Sequence, residues 1–232
     1  MTFAEKINLF NRRLDFDRPL PEGIQLMNPF KENPGILQLT KRFYDKFYND
    51  NKPRYLIIGI NPGRHGAGLT GIPFTDTIRL EKYCGLKLEK LYSFETSSEF
   101  IYKMIEAYGG VKKFYSFYYI NAVCPLGFTK TNKSGRNVNY NYYDDEELNK
   151  VVYDFIVRSL KQQISFGLKT EVCYCLGTGR NYKFLTGLNR EIKLFNNIIP
   201  LEHPRFIMQY KRKQLNYYTQ KYLELLRQKF EL

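Results

Sequence analysis

The sequence predicts an α/β fold: a three-layer α/β/α domain with a central, mainly parallel four-stranded sheet. Two observations carry that expectation. Short apolar runs such as RYLIIGI (54–60) lack the polar alternation of a half-exposed strand, and so read as strands covered on both faces. Between them lie stretches with apolar residues three and four apart, so strands alternate with helices and need crossover connections.

Taken in order, Phe3, Ile7, Phe10 and Leu14 recur at helical spacing and predict an opening amphipathic helix. ILQLTKRFYDKFY (36–48) predicts a second, bounded by ENPG and NDNKP. These N-terminal helices, within about residues 1–50, are expected to pack on the core. After the strand at 54–60, residues 96–108 read as a helix stopped by Gly109 and Gly110. FYSFYYINAV (114–123) is aromatic and β-branched and predicts the second strand. GFTKTNKSGRNVNYNY (127–142) reads as a long polar loop. Asp144 with Glu147 has the pattern of a capping box, ahead of a helical stripe of Leu148, Val151, Val152, Phe155, Ile156 and Leu160. TEVCYCLG (170–177) is the third strand, a helix starts near Gly179, and FNNIIPL (195–201) is the fourth strand. Leu215, Tyr218, Tyr222 and Leu225 mark a closing helix.

The 232 residues, 43% of them hydrophobic, suit a single domain spanning 1–232, with no linker or internal repeat. MTFAEKINLF is not expected to be a signal peptide, and no stretch approaches the roughly 18 apolar residues of a membrane span, so no membrane partner is expected. The four cysteines lack CxxC spacing; Cys173 and Cys175 alternate along a strand and read as small core residues. A reducing, cytoplasmic setting and a monomer are the expectations, with no metal site. Charge says more. Thirty-six Lys and Arg against 23 Asp and Glu give a net +13, which favours a polyanionic partner over a merely soluble basic protein. Twenty Tyr and 18 Phe could supply base-stacking surfaces as well as core.

In an open parallel sheet, ligands bind beyond the carboxyl ends of the strands. INPG, CPLGF, GTGR and HPRF follow the four strands and so converge on one edge. Dinucleotide binding is disfavoured: Gly63, Gly66 and Gly68 give GxxGxG rather than GxGxxG, and Pro62 stiffens the turn. No phosphate loop or GxSxG elbow is present, and no cofactor is expected. What remains is a flat pocket. Glycines admit a ligand close to backbone, Phe74 offers a stacking face, and Asn61, Asn121 and His203 offer directional hydrogen bonds. Each has a plain structural reading, Asn61 and His203 as turn or cap residues, Phe74 as core, Asn121 as a strand end. Their joint placement at strand ends favours function.

GINPGRHGAGLTGIPF (59–74) resembles the first motif of the uracil-DNA glycosylase superfamily. In detail it is similar to the single-strand-selective monofunctional branch, whose motif reads G-[MI]-N-P-G followed by T-G-x-P-F. That branch also carries N-x-x-C-P-L and S-G-R-N segments and a final motif opening with His-Pro. NAVCPLGF (121–128), SGRN (134–137) and His203-Pro204 match them in order. The mismatch-specific branch shares the glycine motif but closes with Asn-Pro-Ser, and the Fe–S branches do not suit the cysteine spacing. Two segments depart from the pattern: RHGAG (64–68) after the NPG turn, and RFIMQYKRK (205–213) in place of a proline- and asparagine-rich wedge.

The resemblance implies a monofunctional DNA glycosylase that extrudes and excises uracil or a related deaminated or 5-substituted base, its partner being single- or double-stranded DNA. It implies a base-binding set of Ile60, Gly63, Phe74 and Asn121. Phe74 would stack on the base, Asn121 would pair with its Watson–Crick edge, and Gly63 would face C5, where the missing side chain leaves room for substituents. The implied catalytic residues are Asn61, positioning water, and His203, stabilising the leaving base at O2. Arg205, Phe206, Lys211 and Arg212 would form a DNA-gripping wedge loop, or else the basic start of the last helix, and Arg136 and Lys133 would reach phosphate. No lysine is placed for Schiff-base chemistry, so strand scission is not expected. The competing expectation is a catalytically weak or inactive DNA-binding relative that uses the pocket to sense lesions.

Overall fold

The computed structural model describes residues 1–88 and 91–228. Its elements follow as α1 (Phe3–Arg13), β1 (Ile24–Met27), α2 (Pro29–Glu32), α3 (Pro34–Tyr48), β2 (Arg54–Gly59), α4 (Ala67–Thr70), α5 (Thr77–Cys84) and α6 (Thr96–Tyr108). Then come α7 (Val111–Phe117), β3 (Tyr118–Ala122), β4 (Gly127–Thr131), β5 (Asn137–Tyr140), α8 (Glu146–Ile164), β6 (Leu168–Leu176), α9 (Arg180–Ile192), β7 (Asn197–Leu201), α10 (Pro204–Tyr210), a 3₁₀ turn (Arg212–Gln214) and α11 (Leu215–Arg227). Among the described residues, no helix is long and apolar enough to cross a membrane.

The expected sheet is present, ordered β3-β2-β6-β7 and parallel throughout. Leu56, Ile57 and Ile58 at its centre are buried, because helices flank the sheet and leave no solvated side to call for polar residues. Cys173 and Cys175 are buried in β6. Buried residues from Phe3 to Leu226 form one connected cluster. α1 starts with a capping box, Thr2 against Glu5, and turns Phe3, Ala4, Ile7 and Phe10 inward, against α3 among other neighbours.

Arg54, at the first position of β2, has no exposed surface. Its Nε donates to the Tyr115 carbonyl at 2.8 Å, and its two Nη atoms reach both oxygens of Asp50 at 2.8 and 3.1 Å. The guanidinium lies 4.9 Å from the Phe3 ring centroid and 4.8 Å from that of Tyr48. One cation therefore joins α1, α3, α7 and the central strand.

Four sequence expectations are corrected. The run 114–123 is strand only from Tyr118; its first half belongs to α7, where Phe114 and Tyr115 sit three and four residues after Val111 and turn inward together. The 127–142 loop is a hairpin, β4 and β5, which joins β1 in a second, antiparallel sheet ordered β1-β4-β5. Its tip is an Asn-based turn: the Asn132 side-chain oxygen accepts from the backbone of Ser134 and Arg136 at 3.0 and 2.9 Å, and Gly135 takes φ +75°. The α8 cap is Asp145, not Asp144; its carboxylate accepts from Leu148 N. Finally, 205–213 is neither one wedge loop nor the start of the last helix, since a separate helix, α10, ends at Tyr210 and α11 begins at Leu215. Residues 205–210 lie in α10, so Ile207 and Met208 turn inward while Phe206 and Tyr210, four apart, face outward.

Candidate active site

β2 ends at Gly59, and the chain leaves the sheet through Ile60, Asn61, Pro62 and Gly63. Neighbouring loops hold this segment by its backbone: the carbonyls of Gly59 and Ile60 accept from Val123 N and Cys124 N at 3.0 and 3.1 Å. The Gly59 carbonyl also accepts from the buried Asn181 amide at 3.3 Å, which ties in the loop after β6. Gly177 N donates to Leu201 O at 2.7 Å and connects the ends of β6 and β7. The four loops thus meet as the sequence predicts.

Asn61 is fastened at both ends of its amide. Nδ2 donates to Tyr140 O at 3.2 Å, and Oδ1 accepts from Tyr142 N at 3.3 Å, so the residue bridges the glycine loop to the end of β5. Phe74 follows a tight turn and has φ +51°, a backbone state rare for a residue with a side chain. Thr70 brackets that turn by donating to Thr75 O at 2.7 Å and accepting from Ile72 N at 3.2 Å. The Phe74 ring rests on Gly59, where an added Cβ would lie 2.8 Å from Cε2. A side chain at 59 would drive the ring away.

Asn121, near the end of β3, is 7% exposed. Its Nδ2 donates to Tyr119 Oη at 2.6 Å and its Oδ1 accepts from Ala122 N at 2.8 Å. Those two bonds fix which way the amide points, and each end keeps one further bonding capacity. Gly59, Ile60, Asn61, Gly63, Phe74 and Asn121 all line one pocket.

His203 caps α10, with Nδ1 accepting from Arg205 N at 3.1 Å. Its ring centroid lies 5.8 Å from that of Phe74, and it lines an adjoining groove with Ile60, Gly177 and Phe206. Burial first, and the charge of Arg205 second, push its pKa down to about 4. The imidazole is therefore neutral at physiological pH, and Nε2 carries the proton because Nδ1 is an acceptor. This is a donor without charge.

Sequence reasoning passed over Glu95. This residue precedes α6 and lines the same pocket. Its Oε2 accepts from Ser98 Oγ at 2.9 Å, and its backbone N–H donates to Asp76 Oδ2 at 2.8 Å. Burial, opposed by the Ser98 bond and reinforced by Asp76, raises its pKa to about 7. The space beside Gly63, expected to be open, is bounded by this side chain: a Cβ at 63 would lie 3.3 Å from Glu95 Oε1 and 3.3 Å from Asn139 Nδ2. The only signal was a carboxylate just ahead of a helix start, and that residue type is common there.

The proposed DNA-facing residues divide. Arg205 is exposed beside His203, and Phe206, 41% exposed, packs its ring 5.6 Å from that of Tyr210, itself 67% exposed. Arg212 is paired with Glu99 at 3.1 Å while its side chain stays largely exposed. Lys211 is half-buried at the end of α10. Arg136 and Lys133 are exposed at the hairpin tip. All four cysteines are free and buried, and burial raises Cys124 and Cys175 to about 12, so neither is a nucleophile at neutral pH. Among the described residues, no cluster of three or more His, Cys, Asp or Glu could hold a metal ion.

A comparison with protein families matches residues 46–227 to the uracil DNA glycosylase superfamily. Among curated proteins, no sequence matches. Among solved structures, the chain is similar to the crystal structure of wild-type SMUG2 from Pedobacter heparinus, at 50% identity and a TM-score of 0.95, with 97% of each chain covered.

Proposed function

The chain belongs to the uracil-DNA glycosylase superfamily, and from that premise we propose that it is a monofunctional glycosylase, one domain over 1–232, that extrudes uracil from DNA and hydrolyses its glycosidic bond. The observation that carries this reading is the preset Asn121 amide, held by Tyr119 and Ala122 with one acceptor and one donor capacity left over. Uracil offers N3–H and O4 in that complementary order. Cytosine presents the reverse at N3 and position 4, and would leave buried groups unpaired at about 1–3 kcal/mol.

With the base face on Phe74 and its N3/O4 edge on Asn121, O2 falls toward His203. Continuing round the ring past O4, C5 falls toward Gly63. Water adds at C1′ as the bond to N1 breaks, and the bonding pair leaves with the base. His203 Nε2–H donates to O2 as that negative charge grows, and costs no proton transfer because the imidazole is already neutral. Asn61 cannot act as a carboxylate base. Its Oδ1, with one lone pair taken by Tyr142 N, uses the other to orient the water. The proton that the water sheds passes to the departing uracilate or to solvent, so the products are uracil and an abasic site. Arg205 and the Phe206–Tyr210 pair on α10 enter the gap left by the base, while Lys211, Arg212, Arg136 and Lys133 contact phosphate.

The test is incubation with labelled oligonucleotides carrying one uracil, followed by alkali, with Asn61→Ala and His203→Ala beside the wild type. Cleavage that is lost in both variants is the expected result. Salt-sensitive binding without cleavage would instead favour the lesion-sensing relative.

A further inference from the structure

Two glycines of the RHGAG departure and its preceding turn share one neighbour. A Cβ at Gly66 would lie 2.2 Å from Glu95 Oε2 and 2.6 Å from its Cδ, an overlap that would push the Glu95 carboxyl out of its present place. A Cβ at Gly63 would touch Glu95 Oε1 at 3.3 Å. What these glycines make room for is the Glu95 carboxyl. Ser98 Oγ holds one oxygen, and the backbone bond to Asp76 fixes the residue's place at the head of α6. Oε1 has no hydrogen-bond partner among the described residues and stands on the pocket wall next to Gly63.

We propose that Glu95 is a specificity-determining residue whose carboxyl fills the pocket beside Gly63 and closes it to bases with a methyl group at C5. The inference rests on the orientation given above, with C5 turned toward Gly63. The C5–H of uracil needs little space. The methyl of thymine would have to occupy the volume held by Oε1, and would cover that oxygen while offering it no hydrogen bond. A side chain reaching in from another element thus does what bulk at position 63 would do, and glycine at 63 need not mean tolerance of 5-substituted bases.

Single-turnover excision of uracil and thymine from the same single-stranded oligonucleotide sequence tests this. The ratio of thymine to uracil rates should rise about tenfold or more in Glu95→Ala, the scale on which one methyl group is discriminated. Glu95→Ser, which also empties the space and supplies a hydroxyl suited to capping α6, should show the same rise if the alanine variant folds poorly. Glu95→Gln preserves the volume and should keep the wild-type ratio. An unchanged ratio in the alanine and serine variants would overturn the inference, and so would equal rises in all three, which would trace the effect to charge. A wild-type protein that leaves uracil in place would instead undo the proposed function.

Discussion

His203 Nδ1 accepts the backbone N–H of Arg205 at 3.1 Å, and this contact decides that the proton of the neutral imidazole sits on Nε2. Protonation would put a second N–H against the first, so the contact favours the neutral ring that burial already enforces. The single-turnover rate should therefore be insensitive to His203 ionisation above about pH 5 and fall only as pH approaches 4. His203→Ala should lower it by about 10²–10³-fold. A rate that instead tracked an ionisation near 6.5 would refute the neutral-donor assignment. Because the folded pKa lies below the usual 6.5, the unfolded chain binds more protons between pH 6.5 and 4, and this residue removes stability as pH falls through that window.

Gly59→Ala should cost about 10²-fold in excision rate, because the new methyl meets Phe74 at 2.8 Å and shifts the stacking face by an ångström or so. The loss should be restored in part by Phe74→Leu in the same chain. A rate equal to wild type in the single variant would show that Phe74 does not position the base.

Glu95 makes the opposite pH contribution to that of His203. Its pKa is raised from 4.5 to about 7, so the folded protein binds more protons than the unfolded chain between those values, and stability is lost as pH rises through them. Urea titrations at pH 5 and pH 8 should show Glu95→Gln gaining about 1–3 kcal/mol relative to wild type at the higher pH. Parallel pH dependence in the two proteins would place the carboxyl in a more solvated setting.

Arg54→Ala should lower unfolding stability by about 2–4 kcal/mol, since it strips Asp50 of its partner and leaves the Tyr115 carbonyl without its donor. Chemical denaturation followed by far-UV circular dichroism measures this directly.

The parallel sheet was legible because it rests on local pattern, unbroken apolar runs with turn residues at their ends, while the pocket residues 60, 61, 63, 74 and 121 were singled out by their place at strand ends or by resemblance to a family's motifs. The second sheet was not. Its strands are short, β4 and β5 are largely polar, and β1 lies about a hundred residues from β4, so nothing local signals the pairing. α7 was hidden by composition, its aromatics favouring strand while their three-and-four spacing made a helix. Glu95 escaped for a different reason. Its importance comes from Gly63 and Gly66, some thirty residues away, and only the fold brings the three together.

The Asn61 bridge to Tyr140 and Tyr142 has an engineering consequence. The pocket loop takes its shape from a fixture on the other sheet, so it is not a portable module. Grafted alone onto a foreign parallel sheet, residues 59–74 would arrive without their anchor; a working transplant would have to carry the 127–142 hairpin with them.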